Sequence, residues 1–120
     1  MVTSLAYGLA IVLNLFIIYI GARFLLSPQA AATGYGIPAA PGAYPATKGL
    51  RDLTYGLTGL ALLAFAGTPA AAWFMLVVAL VPLGDTLIVL RHGGTRAVAF
   101  GIHFATAVVV LLSAALLFAA

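Results

Sequence analysis

Residues 7–26 read YGLAIVLNLFIIYIGARFLL. These twenty positions hold one amide, Asn14, and one charge, Arg23, close to the end. A soluble core does not need an uninterrupted apolar run of that length. The hydrocarbon layer of a bilayer does, because about 20 helical residues are needed to cross it. The span is expected to run from about Thr3 to Leu26. A secretory leader would start with basic residues and have a shorter apolar stretch. Here no Lys or Arg precedes Arg23, so the segment is read as a retained helix.

Three further runs of the same kind follow. The second span is expected over 47–67, with Thr47 as its cap, and the third over 69–90, with Pro69 in its first turn. The fourth is expected over 97–119. Pro82 lies inside the third span and should kink it. RHGGTR, residues 91–96, is the turn between spans three and four. Residues 27–46, SPQAAATGYGIPAAPGAYPA, form the one substantial loop, re-entrant or interfacial. Ser27-Pro28 is a helix start, with Ser27 as cap and Pro28 in the first turn, so a short interfacial helix is expected from Pro28 to Thr33. The Gly and Pro residues beyond it forbid regular structure. Tyr35 and Tyr44 are expected at headgroup level. The fold class is therefore all-α: an integral membrane four-helix bundle of antiparallel up-down topology, with residues 1–120 as one transmembrane domain.

Composition agrees. Of 120 residues 65% are hydrophobic and 6% are charged, too few charges to cover a soluble surface. There is no cysteine, which excludes disulfides and thiolate metal sites. The pI near 9.7 does not point to nucleic acid, because it rests on only five Lys and Arg against two Asp. Their placement fits a membrane better. Arg23, Lys48, Arg51, Arg91 and Arg96 all fall at or near the end that carries the 27–46 loop and the 91–96 turn. The other end has no charged side chain. The positive-inside rule then puts both connections in the cytoplasm and the chain termini outside, in the plasma membrane.

Polar residues also converge in depth. At 1.5 Å per residue, Asp52 lies about 6 Å beyond Lys48, Asp85 about 9 Å before Arg91, His103 about 10 Å after Arg96, and Asn14 roughly 13 Å before Arg23. Tyr55 falls between these values. Lys48, Arg51, Asp52, Tyr55 and Gly59 form one stripe on the second span. Arg96, His103 and Thr106 share a face of the fourth, with the small residues Ala97, Gly101 and Ala105 on roughly the opposite face. Arg23 points elsewhere and reads as a phosphate-facing anchor. Ionisable groups in a span cost several kcal/mol unless paired or wet, so they are expected to face a shared cavity. That cavity should open to the cytoplasm, under the 27–46 loop, with greasy walls suited to an apolar ligand bearing one or two polar handles.

Each residue also has a plain structural role. Arg51 and Asp85 can form an interhelical ion pair, and Lys48 and Asp52 an i, i+4 pair. His103, Asn14 and Tyr55 can simply bond to the bundle, and His92 is a solvated turn residue. A metal site from Asp52, Asp85 and His103 lacks ligand spacing, so neither metal nor other cofactor is expected.

The strings GARFLLSPQAAATGYGIP (21–38), KGLRDLTYGL (48–57) and LGDTLIVLRHGG (83–94) resemble the domain of unknown function 4267, a family of small four-helix membrane proteins. The resemblance runs from Gly21 to about His103. It implies a bundle broadly similar to DoxX-like proteins, and it brings no activity and no catalytic residues.

The functional expectations rest on the residues alone. In the first, an intramembrane enzyme acts on a lipophilic small molecule. Asp52, Asp85, Arg51 and His103 supply acid/base chemistry, and Asn14, Tyr55, Lys48 and Thr106 hold the ligand. Epoxide opening, isomerisation or cyclisation would need no nucleotide. The residue types are similar to the Asp-Arg-Asp sites of soluble limonene-type epoxide hydrolases, by analogy only. No GxSxG, HExxH, Walker or dinucleotide fingerprint occurs. In the second, the chain is a structural or accessory subunit whose polar groups only lock the bundle, with Ala97, Gly101 and Ala105 as a row for self-association or a partner. In the third, it is a proton-coupled transporter. Its expected contacts are membrane lipid and a lipophilic small molecule, with no nucleic acid.

Overall fold

Proline and glycine set where each helix starts and stops. The first helix, α1 (Val2–Leu26), runs without a proline until Pro28, which biases the residue before it away from helix. Ser27 sits at φ −139°, ψ 65°, and its N–H closes α1 on the Arg23 carbonyl at 2.7 Å. Pro28 then opens α2 (Pro28–Tyr35), two residues longer than expected. Ser27 precedes it without a side-chain capping bond, contrary to its expected role. α2 stops at Gly36, whose φ of +87° is left-handed and favours glycine.

The computed structural model describes residues 1–36 and 43–120. The irregular loop expected after α2 lies mostly outside those residues.

The next helix, α3 (Tyr44–Phe65), starts three residues before Thr47. Pro45 is accommodated in the first turn, where no intrahelical N–H is needed. Thr47 is therefore inside the helix, its hydroxyl donating to the Ala43 carbonyl at 3.0 Å. Gly67, at φ +92°, separates α3 from α4 (Thr68–Val78). Ala79 interrupts the rod before α5 (Leu80–Arg91). The break falls one turn ahead of Pro82, which has no N–H to give the Val78 carbonyl. Thr95 caps the last rod, its Oγ1 accepting the Val98 N–H at 3.1 Å. That rod comprises α6 (Arg96–Val98), a π-helical segment Ala99–Phe104, and α7 (Ala105–Ala119).

The described residues are almost entirely helical, with no strand among them. Three helical rods, Val2–Leu26, Thr68–Arg91 and Arg96–Ala119, are long and apolar enough to cross a membrane, consistent with a membrane protein. α3 has 22 residues, about 33 Å at 1.5 Å each. It differs from the others in carrying Lys48, Arg51 and Asp52 in its first turns.

Small residues pack inside and large ones face outward, a pattern consistent with membrane helices. Ala6, Ala10, Ala71, Ala72, Ala79, Ala99, Ala107 and Ala114 are buried, whereas Phe65, Trp73, Leu80 and Leu111 are exposed. α1 and α3 share the most intimate contact. A Cβ on Gly21 would lie 2.5 Å from the Leu53 nitrogen and 2.6 Å from the Gly49 oxygen, and one on Gly56 2.6 Å from the Asn14 oxygen. The two backbones touch because at each of these points at least one helix presents a glycine.

One core cluster joins the start of α1 (Ala6, Ala10), the end of α3 (Leu63), α4 (Ala71, Ala72, Met75) and α7 (Val110, Ala114, Leu117). Beyond it the molecule divides. α1 stays with α3, and α5 stays with the π segment, while contacts between the two pairs become sparse. α2 folds back beside the first pair, Ala31 and Ala32 packing on Phe24.

Candidate functional site

The parting of the two helix pairs leaves a cavity of about 430 Å³. α1 contributes its Leu13, Ile17, Ile20 and Phe24 face, and α4–α5 contribute Phe74, Met75, Val78 and Pro82. The walls are thus mainly apolar. Into them project Asn14, Arg23, Asp52, Tyr55, Asp85, His103 and Thr106. Three residues of α2, Ala31, Gly34 and Tyr35, complete the lining at the charged end.

Tyr35 is the hub of that end. Its hydroxyl donates to Asp85 Oδ2. Its carbonyl accepts from His103 Nε2 at 2.7 Å. Its ring lies 4.2 Å from the His103 ring and edge-on to Phe24 at 5.5 Å. Lys48 Nζ sits over the same ring at 4.3 Å and over Phe24 at 4.7 Å, both within cation–π range. One side chain from α2 therefore ties α1, α3, α5 and the π segment together. Burial, reinforced by the nearby Asp85 carboxylate, pushes the Tyr35 phenol far above its usual range. The proton stays on the tyrosine, which fixes it as the donor to Asp85.

Because a carbonyl can only accept, His103 must carry a hydrogen on Nε2. In the neutral ring, Nδ1 is then left as the acceptor. His103 is buried, and the π turn that holds it is a recurrent feature of functional sites in helices.

Asp52 is buried and pairs with Lys48, Nζ to Oδ2 at 2.5 Å. The i, i+4 pair is therefore present, shielded by the two aromatic rings. The Arg51–Asp85 pair is not: among the described residues the carboxylates are engaged by Lys48 and Tyr35 instead. Helical geometry explains the difference. The buried face of α3 is Pro45, Gly49, Asp52, Gly56, Gly59 and Leu63. Arg51 is about 100° from Asp52 on the wheel, on the side away from the packed face. It is exposed and does not line the cavity, so it leaves the expected catalytic group. Lys48 and Tyr55 lie on the edges of the buried face, and Tyr55 borders the cavity.

Asn14 is buried, but its amide is engaged within the protein. Nδ2 donates to the Ala10 carbonyl at 2.8 Å and approaches Met75 Sδ at 3.9 Å. Thr106 donates to the Ile102 carbonyl at 2.6 Å, leaving its oxygen free to accept. Arg96 is exposed and does not share the cavity face with His103 and Thr106. Ala97, Gly101 and Ala105 are also exposed. Among the described residues no three acidic or histidine side chains gather as metal ligands.

Two cavity residues were assigned elsewhere on sequence grounds. Tyr35, placed at the headgroups, is inside. Arg23, read as an outward anchor, continues the Leu13–Ile17–Ile20 face of α1 at helical spacing and lines the cavity.

A family model for a domain of unknown function, number 4267, matches residues 14–117. The chain belongs to this family. The match covers every cavity residue except Leu13, so the site lies within the family's own domain. Comparison with curated proteins and with solved structures finds no match.

Proposed function

We propose that this member of the family is an integral membrane protein that takes a lipophilic small molecule into the cavity between its helix pairs. The observation that carries this reading is the cavity itself. It has apolar walls of several helices, a volume of about 430 Å³ within the usual range for small-molecule sites, and its charged groups, Arg23, Asp52 and Asp85, at one end. Its boundary residues Phe16, Val81 and Ile102 are exposed, so a molecule dissolved in lipid can reach it from the side.

The reading includes a four-helix antiparallel bundle. The core cluster, which joins the start of α1 and α4 to the end of α3 and α7, supports alternating directions. With the charged end in the cytoplasm, the termini lie outside the plasma membrane. Asp52, Asp85 and His103 provide groups for acid/base chemistry. With Arg51 outside the cavity the Asp-Arg-Asp grouping expected for epoxide opening is not assembled, and proton-transfer isomerisation is the reaction type these residues best suit.

The test is native mass spectrometry of the purified protein. The wild type is expected to carry a lipophilic molecule that is released on unfolding. Val78→Phe, which fills the cavity from α4, should abolish that adduct while the protein elutes as before. An unchanged adduct in V78F would place the molecule elsewhere and sink the reading. One observation favours a second reading, the accessory subunit. A Cβ at Gly101 would meet nothing within 4 Å, so the Ala97, Gly101, Ala105 row is open to another helix. On that reading Gly101→Leu changes the assembly the protein enters and leaves the adduct untouched.

A further inference from the structure

We propose that the molecule held in the cavity is a single-chain amphiphile with an anionic head, a carboxylate above all, received by Arg23. This rests on the cavity reading above and gives the ligand its chemical class.

The charges decide it. The chain has two acidic residues, Asp52 and Asp85, and five Lys and Arg. Arg51, Arg91 and Arg96 are exposed and outside the cavity. Lys48 is committed to Asp52 at 2.5 Å. Asp85 already accepts the Tyr35 hydroxyl. Arg23 remains: a half-buried guanidinium that lines the cavity, with neither carboxylate within ion-pair distance. Both acids lie among the described residues, so no internal partner for it remains among acidic side chains. A cation in that position is satisfied by an anion, and a planar guanidinium matches a carboxylate through two parallel hydrogen bonds. A cationic head would have to displace Lys48 from Asp52 or share Asp85, where Oδ2 already accepts the Tyr35 hydroxyl and Oδ1 alone is open, so it lacks the two-point match that Arg23 offers a carboxylate.

The shape agrees. Along α1 the lining runs from Arg23 back to Leu13, ten residues or about 15 Å at 1.5 Å each. From Ile20 to Leu13 this helix face is apolar except for Asn14, whose amide already donates to the Ala10 carbonyl, and it faces Phe74, Met75 and Val78. A head at Arg23 therefore lays a hydrocarbon tail along a greasy trough, toward the packed end of the molecule. The volume suits one chain, not the two of a phospholipid.

The experiment uses the full-length protein in phosphatidylcholine nanodiscs, titrated with dodecanoate, dodecanol and dodecylamine. Dodecanoate is expected to bind at least tenfold more tightly than either of the others. Arg23→Gln should erase that preference by lowering dodecanoate to the level of dodecanol, while Arg51→Gln, at an exposed cation, should preserve it. Equal binding of acid and alcohol, or a preference for the amine, overturns the anionic head and leaves the cavity reading standing. Binding of none of the three overturns both. If exchange to phosphatidylglycerol nanodiscs blocks dodecanoate in an Arg23-dependent way, the native anion is a bilayer headgroup and the single-chain proposal fails.

Discussion

Replacing Gly21 by leucine is expected to leave no monodisperse protein. The seam between α1 and α3 is made by glycines on both helices, and at Gly21 a side chain would meet backbone. Even a methyl group there would lie 2.5 Å from the Leu53 nitrogen and 2.6 Å from the Gly49 oxygen. Backbone cannot rotate away as a side-chain tip can, so the helices must part along their length. Overpacking in a tight core costs about 1–3 kcal/mol or more, and this case belongs at the upper end. The loss extends to the site, because α1 and α3 together position Phe24, Lys48 and Asp52. Gly101→Leu is the matched control, since that position is open. Fluorescence-detected size exclusion should show an aggregated G21L and a folded G101L. A folded G21L with an unchanged melting temperature would mean that the seam is not tight.

The second large effect is expected from Lys48→Met. The Asp52 side chain is only 5% exposed, and Lys48 is its charged partner. Removing one member of a buried ion pair leaves the other uncompensated, at a cost of about 3–5 kcal/mol. The lower figure suits this pair, because Lys48 keeps some access to solvent, at 26%. Methionine preserves most of the packing on Phe24 and Tyr35, so the loss isolates the charge. Adding Asp52→Asn should recover most of it, since the neutral amide no longer needs a cation. Thermal unfolding of the single and double variants measures both. If K48M alone melts like the wild type, the pair is no stronger than an exposed i, i+4 contact of a few tenths of a kcal/mol.

Much of the architecture could be read from residue patterns, because helices long and apolar enough to cross a membrane show as uninterrupted apolar runs. The long apolar runs placed the rods to within a few residues, and the family match agrees with the resemblance seen in the three strings. The end of α3 was legible from Gly67, but its start was not, because Pro45 and Thr47 both look like first-turn residues. Of the expected site residues, Asn14, Asp52, Tyr55, Asp85, His103 and Thr106 were chosen by depth and spacing, and all six line the cavity. Arg51 was misplaced because a stripe drawn through charged residues is not the face that packs; the glycines of α3 mark that face. Tyr35 was missed because its position depends on how α2 folds back, a long-range event that local periodicity does not encode. The Ala97–Gly101–Ala105 row was drawn on an ideal α-helix and runs through the π segment, where the spacing of side chains around the axis changes.

That same segment links chain length to chemistry. A π turn accommodates one residue more than an ordinary helix would over the same rise. Were the stretch between Val98 and Ala105 one residue shorter, the rod could close into regular turns, and the imidazole would swing by about 100°, away from the Tyr35 carbonyl. The histidine and the extra residue therefore stand or fall together. Relatives that dispense with one should have dispensed with the other, and a single-codon deletion here would act as a histidine knockout without touching the histidine itself.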